Sequence, residues 1–546
     1  MKRRAAIAAI LIALSACASA SPASPQQAAR QLIPKPPPTL ATAIAQAARL
    51  GPAGESTSVA LSFGLKVRHP DQLAAILASG QTVSPADYAA RFGPDETLVG
   101  RAVKALSVAG FHAAWQPPSG VIAADGPAPA AAALLHVDIE SYRLANGTTF
   151  YASLDEPQLP PVLAAVANGV SGLDDYRRAR GYAVRPGGVE PVDVLSYYNL
   201  KPLRDAGLDG AGQTVLLPEI DDVGVSDLEG FATKFGLPPF APLLTIKRDP
   251  NWGTPEKAQG ETALDLEIIH EVAPAAKLVV YMSAADFGHG DRAFDQLVID
   301  HLGSIISESL GSCEPDTPSG ARDNYASVQD RSVALGMSHL VASGDNGAYT
   351  CGVDQNPATS FPASLPSVTG VGGTTVFESQ QGVYFKEFAW GSPLDQSGSG
   401  GGASLFYGAP GYQDSVRQAA GNGFRQVPDV AADADPSTGF HIVFGGKDAQ
   451  VGGTSAATPL WAGTLALINE DLKRKNLREA GFANPALYWM GENAAKLSPR
   501  PFHDVIGGNN LGYNALTGWD FATGWGSMDA AALDAAWTKY IKAGGA

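Results

Sequence analysis

Between residues 213 and 371 the chain alternates short apolar runs with stretches whose apolar residues recur every three to four positions. The runs at 213–217, 277–281, 304–307, 339–342 and 367–371 predict strands, and 227–235 predicts a helix. Apolar strands alternating with helices belong in a parallel sheet covered on both faces, so this region reads as α/β. In such a sheet, groups that act on a ligand gather at the carboxyl ends of the strands. Before residue 170 the rhythm differs. Strands are predicted at 59–65, 134–139 and 148–152, and helices at 70–77, 84–92 and 95–109. That mixture predicts a small α+β unit over residues 53–170, separate from the larger unit over 189–546.

Between the two, residues 171–188 are charged and glycine-bearing, with Asp174-Asp175-Tyr176-Arg177-Arg178 and Arg185-Pro186-Gly187-Gly188, which predicts an exposed linker of the kind proteases cut. An ordinary interdomain connection would have the same composition. Residues 21–52, rich in Ala, Pro, Gln and Ser at their start, read as a flexible tether. Ahead of them, Met1-Lys2-Arg3-Arg4 precedes an apolar core from Ala5 to Leu14 that is too short to span a bilayer, so 1–20 reads as an export signal. Leu14-Ser15-Ala16-Cys17 resembles a bacterial lipobox, which would lipidate Cys17. Ala18-Ser19-Ala20 would suit ordinary signal cleavage instead.

Composition narrows the class further. The 546 residues exceed one ordinary domain. A formal net charge of -16 argues against a nucleic-acid partner and is compatible with work in acid. Only 17% of residues are charged, and 61 glycines and 40 prolines suit a loop-rich exported protein. Of 3 cysteines, Cys17 lies in the signal. Cys313 and Cys351 remain, able to pair in an oxidising compartment or to stay separate thiols.

The stretch Val451-Gly452-Gly453-Thr454-Ser455-Ala456-Ala457-Thr458-Pro459 leads into an apolar run, a tight turn feeding a buried helix with Ser455 at its start and Pro459 in its first turn. A serine there is presented by backbone near a helix end that favours negative charge, although an N-cap serine would look the same. Glu261 and Asp265, four apart, share one helical face. Like charges so placed repel unless a proton or hydrogen bond relieves them. A solvated acidic first turn is the plain alternative, but Ala263, Leu264, Leu266, Ile268 and Ile269 leave little polar surface and favour a buried pair. Glu267 and His270 have a spacing used in di-iron bundles, without the second such motif that a metal pair needs, so His270 reads as structural. Gly398–Gly402 reads as a flexible wall. Ser343-Gly344-Asp345-Asn346-Gly347 follows a predicted strand; its aspartate suits a turn, and also stands where a catalytic group would project. None of the 9 histidines lies in a His-Gly-Thr setting, against a histidine-based subtilisin-like peptidase. Ser455 has no Gly-x-Ser-x-Gly around it, against a lipase or esterase.

Taken together, Gly-Gly-Thr-Ser-Ala-Ala-Thr-Pro, the Glu-x-x-x-Asp helix and Ser-Gly-Asp-Asn-Gly resemble the sedolisin family of serine-carboxyl peptidases. Leu61-Ser62-Phe63-Gly64-Leu65 and Tyr88-Ala89-Ala90-Arg91-Phe92-Gly93 resemble that family's activation prodomain. The resemblance implies a subtilisin-like parallel sheet flanked by helices, preceded by a small α+β prodomain. It implies Ser455 as nucleophile, Glu261 as general base, Asp265 as its supporting carboxylate and Asp345 as the oxyanion partner. Glu219 would extend the proton network, although Pro218 and Ile220-Asp221-Asp222 depart from the usual continuation. Ser309, Leu310 and Gly311 match the segment that pairs with substrate. Near the C-terminus, Asp504 and Asp520 with the carbonyls of Val505, Leu516 and Gly518 match a structural Ca²⁺ loop, with Leu516 where glycine is usual.

The implied function is that of an exported endopeptidase made as a zymogen, acting on protein or peptide substrates and held by its own prodomain as intramolecular inhibitor and chaperone. Glu261 must be ionised within a proton-sharing chain while Asp345 stays protonated, so the expected optimum lies well below neutrality. The expected location is secreted, periplasmic or lipid-anchored at a bacterial envelope until the linker is cut, with membrane contact only through Cys17, and the expected state is a monomer. The alternative is a catalytically silent surface or binding protein on the same scaffold, which the presence of all four expected side chains disfavours.

Overall fold

The computed structural model describes residues 40–545 apart from 146, 178–183, 186–187, 353–354, 379–383 and 417–420. The export signal, Cys17 and the first part of the tether lie outside the described residues.

In the N-terminal unit, β1 (Ser58–Leu65), β2 (His112–Ala114), β3 (Val121–Pro127) and β4 (Ala167–Ser171) form an antiparallel sheet in the order β2-β3-β1-β4. Helices α1 (Pro70–Ser79), α2 (Pro85–Phe92) and α3 (Glu96–Val108) follow the predicted spans closely, α2 and α3 being capped by the side chains of Ser84 and Asp95. The strand expected at 134–139 does not form. Residues Ala128–Leu135 are instead a helix, α4, because Ala128, Ala131 and Leu135 share one buried face in a run of strong helix formers. The tether is ordered from residue 40, against the expectation of flexibility. Leu40–Gln46 is helical, Ala48–Pro52 pairs with Glu140–Arg143, and Leu40 and Ala43 pack on Phe150.

The larger unit is built on eight strands: β5 (Thr214–Glu219), β6 (Leu244–Arg248), β7 (Lys277–Met282), β8 (Ile305–Glu308), β9 (Ser338–Ala342), β10 (Thr369–Glu378), β11 (Tyr384–Ala389) and β12 (Val430–Asp433). Their order is β6-β7-β5-β8-β9-β10-β11, with β12 also pairing β10. All neighbours are parallel except β10 and β11. Alternate residues of one strand enter different cores. Val215 and Leu217 pack with α5 (Glu261–Val272), whereas Leu216 packs with α6 (Phe287–Asp300) and α7 (Ser319–Ala334). Helix α8 (Thr454–Arg474) shares the first core and lies against α5. The sheet is therefore covered on both faces, as wholly apolar strands require.

The N-terminal sheet sits on α6 and α7. Asn324 of α7 accepts from Gly64 N (2.7 Å) and donates to Ser62 O (2.9 Å), so one side chain continues the backbone pairing of β1. Approach this close needs bare backbone, since a Cβ on Gly64 would stand 2.0 Å from Asn324 Oδ1, and one on Gly320 would stand 2.1 Å from Val170 O. Around that contact Ser62 Oγ donates to Gly288 O, Ser171 Oγ to Asp291, and Arg292 pairs with Asp125. The linker is also partly pinned. Arg177 pairs with Asp174 at 2.8 Å, and Val184–Arg185 adds an antiparallel strand to Gln450–Val451, just ahead of Ser455.

Candidate active site

Helix α8 enters on Gly453, whose φ of +105° suits a residue without a side chain. A Cβ there would lie 2.5 Å from Asp345 Oδ2, so the glycine leaves room for that carboxyl group against the helix entrance. Asp345 Oδ1 accepts from Thr454 N (2.7 Å) and Thr454 Oγ1 (2.8 Å), while Gly344 N donates to Thr454 Oγ1 (3.0 Å). The glycine run 398–402 braces this turn and is not a flexible wall. Gly400 N donates to Gly344 O at 2.7 Å, and a Cβ on Gly400 would stand 1.9 Å from Ser343 O. Burial pushes Asp345 up to about 6, against the lowering effect of the Thr454 hydrogen bonds.

Ser455 is buried in the first turn of α8, and its Oγ donates to Ser309 O at 3.3 Å. The Ser309 hydroxyl lies 2.8 Å from Asp265 Oδ1 and 3.1 Å from Ser455 O, its single proton directed at both acceptors. Ser455 O is available because the residue four positions on is Pro459, which has no N–H to donate. Pro459 lies inside α8 and not in its first turn, so it exposes a carbonyl that an uninterrupted helix would have used.

Helix α5 brings Glu261 to its first position and Asp265 one turn later, both buried. Its start is fixed by Asp221, whose carboxylate accepts from Gln259 N (2.6 Å), Gly260 N (3.0 Å) and Thr262 N (3.1 Å). Thr262 Oγ1 also reaches Glu219 Oε2 at 3.1 Å. Glu219 ends β5 and hydrogen-bonds Asp265, which raises the former and lowers the latter. Glu219 is held well above the ordinary carboxylate range by burial and then by the charges of Asp265, Asp221 and Glu261. Asp265 is pushed up to about 8 by burial, opposed by hydrogen bonds from Ser309 and Glu219. Carboxyl groups so crowded and desolvated share protons instead of ionising together. Asp221 and the Ser309 hydroxyl are positioning groups that sequence reasoning missed. The available signal was only that both follow strands at their carboxyl ends.

Leu310 packs with Ile220 and Ala285, so the segment from Ser309 to Gly311 borders an apolar hollow. Beyond it, Cys313 and Cys351 form a disulfide with Cα atoms 5.0 Å apart, fastening this segment to the loop that follows Asp345. Of the remaining acids on α5, Glu267 accepts from Val443 N at 2.8 Å, and His270 Nε2 lies 2.7 Å from Pro238 O. Each is thus engaged by the backbone of a neighbouring segment.

At the C-terminus, Asp504 accepts from Gly518 N at 3.0 Å, and Asp520 accepts from Leu516 N at 2.7 Å and from Ala522 N and Thr523 N. The two acids thus converge on one loop, where burial raises both, Asp520 to about 6. Leu516 is not among the positive-φ residues, so its place needs no glycine. Among the described residues no cluster of three or more His, Cys, Asp or Glu side chains could hold a metal. A cation here would rely on two carboxylates and backbone carbonyls, an all-oxygen set that fits a hard ion.

A serine at a helix entrance, backed by buried carboxyl groups on a subtilisin-like sheet and preceded by a docked prodomain, defines a serine-type peptidase. Residues 45–176 match the Pro-kumamolisin activation domain, and residues 253–526 match the subtilase family. Sedolisin of Pseudomonas sp. (strain 101) is 31% identical over 90% of this chain and 88% of its own length. Kumamolisin of Bacillus sp. (strain MN-32) is 31% identical over 75% of this chain and 77% of its own. The solved structure of Pseudomonas sedolisin, a serine-carboxyl proteinase complexed with two molecules of pseudo-iodotyrostatin, matches with a TM-score of 0.58 at 32% identity, covering 66% of this chain and 100% of that one. The chain belongs to the sedolisin family of serine-carboxyl peptidases.

Helix α5 also makes the fold sensitive to pH. Burial raises Glu267 to about 9 and Glu271 well above its ordinary value, and neither Glu271 carboxyl oxygen has a hydrogen-bond partner among the described residues. A carboxyl group raised in the folded state stabilises fully below its unfolded value, about 4.3, and that contribution is lost as pH rises toward the folded value. The melting temperature is therefore expected to fall from pH 4 to pH 8. Glu271→Gln, neutral at every pH, should melt about 4 °C or more above wild type at pH 8 and within about 2 °C at pH 4, as read by differential scanning calorimetry.

Proposed function

We propose that the protein is an acid-acting endopeptidase made as an exported zymogen, with Ser455 as nucleophile, Glu261 as general base, Asp265 and Glu219 as the proton-sharing support of that base, and Asp345 as the oxyanion donor. The observation that carries this reading is the chain of contacts Glu219–Asp265–Ser309–Ser455, with Asp345 held beside Thr454. Ser455 Oγ bonds to the substrate carbonyl carbon as its proton passes to Glu261. The carbonyl π pair moves onto oxygen, which receives a hydrogen bond from protonated Asp345. Collapse breaks the C–N bond while the proton passes from Glu261 to the departing amine. Water then repeats the sequence on the acyl-enzyme and restores Ser455.

The Ser309–Leu310–Gly311 segment aligns the peptide backbone. The activation prodomain, seated on α6 and α7, acts as intramolecular inhibitor, and cleavage within residues 171–188 separates it from a peptidase unit of residues 189–546. Export through residues 1–20 leads to a secreted or periplasmic enzyme. Lipidation of Cys17 would tether the precursor until the linker is cut. Asp504 and Asp520, with carbonyls of Val505, Leu516 and Gly518, would hold one Ca²⁺, which ties the C-terminal loop together without entering the chemistry.

Ser455→Ala is expected to abolish both peptide cleavage and prodomain removal on acidification, read by mass spectrometry; processing by that variant alone would refute the assignment. Asp345 donates only when protonated, so wild-type activity should fall as pH rises through about 6. Asp345→Asn keeps an N–H donor that does not titrate. Its kcat/KM should be lower by about tenfold or more at the optimum, with the fall near pH 6 moved or lost. An unchanged fall would remove Asp345 from this role. Calcium at about 100 times its Kd should stabilise wild type by about 2.7 kcal/mol, and a chelator or Asp520→Asn should erase the shift in thermal melting. Radiolabelled palmitate should mark the wild-type precursor and not Cys17→Ala; an unlabelled wild type would exclude the lipid anchor.

A further inference from the structure

We propose that the buried Ser399 hydroxyl is a positioning group for Asp345, tying the turn that carries this acid to the C-terminal loop of Asp504 and Asp520. This rests on the reading of Asp345 as oxyanion donor and extends it to what holds the donor in place. Ser399 is the one residue with a side chain in the run Gly398–Gly402. Its glycine neighbours are stitched to the Asp345 turn. Gly398 N donates to Asp345 O and Gly347 N to Gly398 O, each at 2.8 Å, and Ser343 Oγ donates to Gly400 O at 2.7 Å.

The Ser399 side chain reaches two other elements. Its Oγ donates to Ala522 O at 2.6 Å and accepts from Gly373 N at 2.8 Å, and the residue is fully buried. The second contact exists because β9 ends early on β10. Its last pairing is Ala342 with Val371, and Gly373 lies beyond it. Where the chain leaves β9 to form the Asp345 turn, the hydroxyl takes an amide that a longer β9 would have taken. A Cβ on Gly372 would stand 2.8 Å from Ser399 Oγ, so β10 is bare backbone where the hydroxyl enters.

The same loop also meets the turn directly. Ala348 N donates to Asn510 O at 3.0 Å, and a Cβ on Gly347 would stand 2.1 Å from that oxygen. Asn510 Nδ2 in turn donates to the carbonyl of Phe521, the residue before Ala522, at 3.2 Å. One loop thus holds the turn twice, through Asn510 at Ala348 and through Ser399 at the glycine run. Asp345 Oδ1 is taken by Thr454, so the direction of Oδ2 depends on how the turn sits. A misplacement of about 1 Å can cost about a hundredfold in rate. Without the hydroxyl, Gly373 N and Ala522 O lose this partner, and both are buried, so the glycine run must shift to relieve them.

A double-mutant cycle on the mature enzyme tests this, with kcat and KM measured in acid for wild type, Ser399→Ala, Asp345→Asn and the two combined. The rate is taken per folded molecule, counted from the melting transition. Ser399→Ala should lower kcat by about tenfold and leave KM within about twofold, since the hydroxyl bonds to neither Ser455 nor the Ser309–Leu310–Gly311 segment. Added to Asp345→Asn, it should lower kcat by less than about twofold more, because the acid it positions is already gone. A merely structural serine would cost the same factor in both backgrounds. That outcome, or an unchanged kcat in Ser399→Ala, would overturn the proposal. Should Ser399→Ala yield no mature enzyme, Ser399→Cys, which keeps a weaker donor, goes through the same cycle and is read by the same two outcomes. Full kcat in Asp345→Asn alone would instead overturn the reading of that acid as donor, and the positioning role with it.

Discussion

The Ser309 hydroxyl joins helices α5 and α8. It is directed at Asp265 on α5 and at the carbonyl of Ser455 on α8, 2.8 and 3.1 Å away. That second acceptor exists because Pro459 cannot close the helical hydrogen bond to Ser455. A gap in one helix is thus filled from a strand end, which ties Ser455 to Asp265. The arrangement is buried, so an unmet partner would cost about 1–3 kcal/mol, and this disfavours alternative placements of the three groups.

Burial gives the same contacts their pH dependence. Glu219, Asp265 and Asp345 all lie well above ordinary carboxylate values, and in each the largest cause is loss of water. Ser455 therefore stands near acids that burial inclines to hold their protons. Glu267 and Glu271 repeat the pattern elsewhere on α5, with burial again the largest cause.

Prodomain and enzyme meet through bare backbone. Gly64 and Gly320 let β1 and β4 lie directly on α7, and Asn324 satisfies a strand edge as another strand would. Helix α6 receives the prodomain through Gly288 and Asp291, and its start also borders the apolar hollow beside Leu310.

Local pattern was sufficient for much of this. Apolar strands at 213–217, 277–281 and 339–342 form because their period and length leave no other stable placement, and Ser84 and Asp95 cap their helices through bonds to neighbours in sequence. The Glu261–Asp265 spacing placed both acids on one face of α5 for the same reason. The reading failed where the deciding contact was distant. Residues 134–139 looked extended until the buried face of α4 was in place, and the tether from residue 40 is ordered by Phe150. Gly398–Gly402 seemed free and is a brace, because the atoms that exclude its side chains belong to Ser343 and other remote residues. The sequence by itself determined most of the elements, the motif around Ser455 and the family. Only the tertiary structure decided that Asp221 holds the start of α5, that the Ser309 hydroxyl links Asp265 to Ser455, and that burial raises the acids, since desolvation and long-range hydrogen bonds arise when segments far apart in the chain close over one another.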